Sequence, residues 1–220
     1  MTPRAAALIL LMAVSGCRKP EPAQPQKTEP ATQAEPATTV PTTVESPESD
    51  QIAALIDPAK LATLKERGAN PRILKITATL WLAKKTTTQQ TKNQNPHEIV
   101  AAAIEKIGWE NTEKGRLTAA AMLRNLDIAE KLGSTTDEDI DAMRHGKSPT
   151  VRNGPYDGDI LSVDHIIPRA IVPELDNVIA NLELMPLRLN QSKSDSIGQR
   201  QLDLANKLHA AGSLDPKILR

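Results

Sequence analysis

Apolar residues in the middle of the chain recur every three or four positions, whereas near its end they fall at every second position or run together. The first period belongs to helices with one buried face, the second to strands. Asp57-Pro58 supplies a helix N-cap and a first-turn proline, and Gly68 a stop. Pro71 opens a second helix whose stripe is Ile73, Ile76, Leu80 and Ala83. Asn95-Pro96-His97-Glu98 is an N-cap, a proline and a third-position Glu, close to a capping box, for a helix running to Ile107. Further helices are predicted over Glu113 to Leu132, ended by Gly133, and Asp137 to Arg144, before Gly146.

After Pro149 the pattern changes. Asn153-Gly154-Pro155 and Asp157-Gly158 are turn signals, followed by a strand over Ile160 to Ile167. A second strand is predicted from Asn181 to Met185. One long helix is then expected from Leu187 to Ala211, with Ile197, Leu204 and Leu208 on one side. Helices first, then strand, loop, strand and helix, is an α+β order.

Composition narrows the chemistry more than the fold. With 1% aromatic residues and no Phe, a core must be built from Leu, Ile, Ala, Val and Met. The 27 basic and 27 acidic residues cancel, so any nucleic-acid partner has to be met by a local patch. A single cysteine excludes an internal disulfide framework and a Cys-ligated zinc site.

That cysteine, Cys17, lies in an informative place. Arg4, an apolar run from Ala5 to Val14, then Ser15-Gly16 before Cys17 is the layout of a secretory signal peptide. The run is about half of the ~20 residues that span a bilayer, which argues against a transmembrane helix. Val14-Ser15-Gly16-Cys17 resembles a bacterial lipobox. The resemblance implies cleavage of residues 1–16, lipidation of Cys17 and membrane attachment through that lipid. Arg18 follows where inner-membrane retention would favour Asp, which points to the outer membrane. Residues 17–50, rich in Pro, Thr, Glu and Ala, are expected to form a disordered tether. A helical region over 51–149 and a second module over 150–220 follow.

The polar oddities gather in the second module. In SVDHIIPRA (162–170), Asp164 and His165 interrupt what otherwise reads as a buried strand. Alone, a histidine in an apolar strand is commonly a satisfied core residue, Asn181 a turn residue, Asn190 a helix cap and Lys193 a solvated charge. Their order is more specific. Asp164-His165-Ile-Ile-Pro168, then Asn181-Leu182, then Asn190-Gln-Ser-Lys193 resembles the HNH endonuclease family. The likeness covers Asp164 to Lys193 and does not extend to residues 51–149.

The resemblance implies a ββα-metal fold, two strands and a helix around one metal ion, that hydrolyses phosphodiester bonds. An imidazole suits proton abstraction near neutral pH, so His165 takes the role of general base. Asp164 and the amide oxygen of Asn190 would be hard metal ligands, suited to Mg²⁺ or another divalent cation such as Mn²⁺. Asn181 would orient the base and its loop, with Asn177, closer to His165, as a rival for that slot. Lys193, three residues beyond Asn190, would reach the substrate phosphate. Arg169 and Arg188, with Arg200, would extend a basic strip that positions DNA without reading its sequence. The basic run from Arg144 through His145 to Arg152 leads into the same region. Family members with flanking cysteine pairs carry a structural zinc, which this chain, with a single cysteine, cannot bind in that way.

The expectation is therefore an exported, lipid-anchored, metal-dependent DNA endonuclease of the cell envelope. Two alternatives stay open: a non-catalytic surface lipoprotein that binds nucleic acid or only folds the domain, and a nuclease acting on RNA.

Overall fold

The computed structural model describes residues 46–61, 68–89, 95–193 and 196–215. Cys17, the segment before it and the tether up to Glu45 lie outside the described residues. What is described is mixed α+β, mostly helical, with one two-stranded antiparallel sheet.

Helix α1 (Pro47–Ile56) begins inside the stretch expected to be tether. Ser46 and Ser49 bond reciprocally, each side chain taking the other's backbone N–H, with Pro47 in the first turn. This local capping satisfies donors that a helix start leaves orphaned, so Pro and Ser here begin a helix rather than continue the Pro-rich run. Asp57 then caps a short helix, α2 (Pro58–Leu61), by accepting from Ala59 N–H. The rest of the helix expected up to Gly68 falls outside the described residues. Helix α3 (Ala69–Gln89) starts two residues before Pro71. Helices α4 (Pro96–Lys106), α5 (Glu113–Lys131) and α6 (Asp137–Arg144) follow, capped by Asn95, Thr112 and Thr136.

The helices converge on one aliphatic core. Ile52, Ile73, Leu74, Ile76, Leu80, Ile99, Met122 and Met143 are all but fully buried there, and the sheet adds Leu161, Leu182 and Leu184. Helix α3 packs on α1, α5 and α6, and α5 carries the sheet. Thr112 caps α5 by accepting from Gly115 N–H, and Gly115 has to be glycine: a Cβ there would lie 2.0 Å from the Trp109 carbonyl oxygen.

Strand β1 (Leu161–His165) pairs antiparallel with β2 (Leu182–Pro186), with Asp164 opposite Glu183 and His165 opposite Leu182. An isolated two-stranded ribbon is marginal in water. Here the free edge of β2 is covered by a side chain of α5. Asn125, fully buried, accepts from Leu184 N–H at 2.7 Å and donates to the Leu182 carbonyl at 3.1 Å. One amide thus serves both a donor and an acceptor that a third strand would have paired.

Two helices close the chain where one was expected. Helix α7 (Leu187–Ser192) stops at Lys193, whose backbone is extended, and α8 (Gln199–Ala210) starts after Gly198, whose N–H donates to the Gln201 side chain. The Leu187 to Ala211 helix is corrected on this point. The Ser-rich stretch and Gly198 are poor helix formers. The extended Lys193 also turns its ammonium back toward β1. Ile197 consequently sits outside the helix and is exposed, while Leu208 is buried against Leu117, Ile167 and Leu175 in a second, smaller core.

The loop from Arg144 to Arg152 is partly anchored. Asp139, buried in α6, receives Arg152 Nε at 2.9 Å, the Thr136 hydroxyl at 2.7 Å and Thr150 N–H at 3.1 Å. Burial pulls this carboxyl upward, yet the hydrogen bonds from Arg152, Thr136 and Thr150 outweigh it and hold the group below its ordinary 3.8. A depressed folded-state value stabilises the fold above the unfolded value, and that contribution is lost as pH falls through the folded one. Stability should therefore drop on acidification below about pH 4. In urea unfolding at pH 6 and pH 3, Asp139→Asn should start less stable than the parent and lose less between the two pH values. An equal loss in both proteins would remove Asp139 as the cause.

Candidate functional site

Asp164, His165, Pro168, Arg169, Ala170, Asn190 and Lys193 line one polar cavity of about 210 Å³. Four of the five residues singled out for chemistry meet there although 29 positions separate Asp164 from Lys193. The antiparallel register explains half of this. Ser162 and Asp164 alternate with the core-facing Leu161 and Val163 and so look away from the core, onto the side where α7 lies. The short α7 then delivers Asn190, and the turn after it Lys193.

Hydrogen bonds fix which atoms face the cavity. Ser162 Oγ spends its single proton on the Met185 carbonyl, at 3.0 Å. Whatever else approaches that hydroxyl at bonding distance must donate, and Asn190 Nδ2 does so at 3.1 Å. The amide is thereby oriented with its nitrogen on Ser162, leaving its carbonyl oxygen as the group it can offer a cation.

The histidine is fixed by a similar argument. Its Nε2 lies 3.0 Å from the Asp176 carbonyl oxygen, which can only accept, so Nε2 carries the proton and Nδ1 keeps its lone pair. The Asp176 carboxylate stands 3.2 Å from the same Nε2. Arg169, largely exposed, approaches the same Asp176 oxygen, Oδ1, at 3.8 Å. Asp176 was not foreseen. It lies 11 residues after His165 in a turn next to Asn177, and no local pattern points to it.

Asn181 stands behind the cavity. It is fully buried and does not line the polar space. Its Oδ1 accepts from Ile167 N–H at 2.8 Å, its Nδ2 donates to the Ile167 carbonyl at 3.0 Å, and its own carbonyl accepts from Ile166 N–H at 2.8 Å. These bonds clamp the loop that follows His165, a positioning role. Asn177, the rival, is exposed and offers its carbonyl to Arg72.

Lys193 ion-pairs with Asp164, and its ammonium also donates to the His165 carbonyl at 3.1 Å. Opposite Asp164 on β2, the buried Glu183 holds Arg200 and, at 3.3 Å, Arg124. The hydrogen bond that Arg200 donates to Glu183 raises its guanidinium above the ordinary value, with a smaller pull from the Asp164 charge. Burial lowers Arg124, and Glu183 opposes that. Arg188 is brought elsewhere: it pairs with Asp159 at 3.4 Å, lies over the Tyr156 ring and does not line the cavity.

The donors fit a hard cation. A carboxylate, an amide oxygen and a backbone carbonyl are oxygen groups of the kind Mg²⁺ and Mn²⁺ take, and a cationic group, the Lys193 ammonium, already rests on two of them. Compared with known proteins, the chain matches no family model, no curated protein and no solved structure.

Proposed function

We propose that the chain is a metal-dependent endonuclease of the HNH kind that hydrolyses phosphodiester bonds in nucleic acid, DNA in the first place. The observation that carries this reading is the shared cavity of Asp164, His165, Asn190 and Lys193, with His165 held as the tautomer whose Nδ1 can accept a proton. Asp164 and Asn190 would hold the cation, Mg²⁺ or Mn²⁺, whose chemistry is to offset negative charge at the scissile phosphate.

The protein's own groups account for the rest. Nδ1 of His165 removes a proton from water, whose oxygen bonds to phosphorus as the bond to the leaving oxygen breaks. Asp176 stabilises the resulting imidazolium, and Asn181 keeps the loop carrying the base in place. Lys193 can exchange its contact with Asp164 for the substrate phosphate, and Arg169 at the rim adds a second backbone contact. On this reading the enzyme is exported and attached to the cell envelope, on the outer membrane, by a lipid at Cys17. Export also keeps such an activity away from the cell's own chromosome.

The test is conversion of supercoiled plasmid by the purified full-length protein. Cutting should appear with Mg²⁺ or Mn²⁺, vanish with EDTA and be lost in Asp164→Ala. Cutting that survives both changes would belong to a contaminant. If plasmid stays intact but an RNA of the same sequence is degraded under the same control, the substrate is RNA.

A further inference from the structure

A second cavity, also about 210 Å³ but mainly apolar, lies among α1, α2, α5, α8 and the segment 177–180. Leu61, Trp109, Leu117, Val178 and Leu208 form much of its wall. Two features of this wall are costly as they stand. Arg72 is 1% exposed, and its nitrogens Nη1 and Nη2 donate only to backbone carbonyls, of Leu55 at 2.9 Å and Asn177 at 2.7 Å. Its Nε has no hydrogen-bond partner, and no carboxylate among the described residues pairs with it. Burial pushes the guanidinium below its ordinary value, and no charge among the described residues opposes that. Ser213, on the same wall, has a buried hydroxyl that is also unpartnered.

A buried cation without a counter-charge is among the more expensive arrangements a fold can hold. Arg72 also sits in the first turn of the long helix α3, where the backbone dipole adds positive potential. Lys114, over the Trp109 ring at 4.1 Å, brings a second cation to the wall. We infer that this cavity binds a small organic anion, with an oxyanion head on Arg72, Lys114 and Ser213 and a short apolar body along Trp109 and Leu117. An apolar cavity of about 150 Å³ takes up a benzene, so one of this size suits a body of roughly eight carbons.

The position gives such a ligand a consequence. The segment 177–180 that floors the cavity runs between Asp176, which holds His165, and Asn181, which clamps the loop after it. Arg72 grips that segment at Asn177. Occupancy should be felt at the His165 ring, an effect that matters for catalysis only on the nuclease reading above.

The probes are octanoate and its neutral counterpart 1-octanol, titrated into the full-length protein carrying Trp81→Phe so that Trp109 alone reports. Octanoate should shift Trp109 emission and bind about tenfold or more tightly than 1-octanol, as expected for hydrogen bonds to a charged donor. Arg72→Met should abolish that preference. Lys114→Gln, at a partly exposed position that leaves the fold intact, should weaken octanoate severalfold. Equal binding of the two probes, no binding of either, or octanoate affinity unchanged in both variants would overturn the proposal. The His165 ring resonances should move on octanoate binding whether or not the protein cuts DNA, which keeps this test separate from that of nuclease activity.

Discussion

His165→Ala should lower the rate of plasmid cutting by about 10²- to 10⁴-fold, the usual range for a general base. It should do so without weakening DNA binding. The ring lines the cavity and makes one Nε2–H bond to the Asp176 carbonyl, and its loss opens little core. Asp176→Asn separates two parts of the arrangement. The carbonyl that fixes the tautomer belongs to the backbone and survives that substitution, whereas the carboxylate at 3.2 Å is lost. The loss there should be smaller, about tenfold, and confined to the chemical step. The checks are single-turnover cleavage of a labelled duplex together with binding in EDTA. His165→Ala cutting at the parental rate would remove the base from the mechanism. Asp176→Asn failing as badly as His165→Ala would mean that the carboxylate, not the carbonyl, holds the ring.

Much of the architecture is written in local signals. Helices α4, α5 and α6 begin at Asn95, Thr112 and Thr136 and end within a residue or two of Gly108, Gly133 and Gly146, where caps and glycines say they should. The strands emerge from alternation, and Asp164, His165, Asn190 and Lys193 are visible as a pattern before their cavity is. What escapes the sequence depends on contacts made at a distance. Leu187 to Ala211 reads as one helix with Ile197, Leu204 and Leu208 on one side, but Lys193 is drawn to Asp164 and His165 on β1. Asn125 reads as one more polar residue on a helix until β2 lies against it. Ser46-Pro47 has the composition of the tether before it, and only the reciprocal bonds with Ser49 mark a helix start. Nothing in the sequence marks Arg72 as buried, with only backbone carbonyls as partners among the described residues.

The same dependence on distant contacts makes Asn181 the place where fold and site are most tightly joined. Asn181→Ala should cost about 3 kcal/mol, because Ile167 N–H and the Ile167 carbonyl would both lose their buried partner at roughly 1–3 kcal/mol each. Asn181→Asp can still accept from Ile167 N–H, but it sets a carboxylate against the Ile167 carbonyl in a dry site, so it should be no better tolerated at neutral pH. Urea unfolding measures the loss. Activity measured where each variant remains folded should fall as well, since the loop from Ile166 to Pro168 directly follows the base. A variant destabilised as expected yet fully active would make the clamp purely structural. One that keeps its stability would mean that Ile167 finds other partners, and the loop's position would then need another explanation.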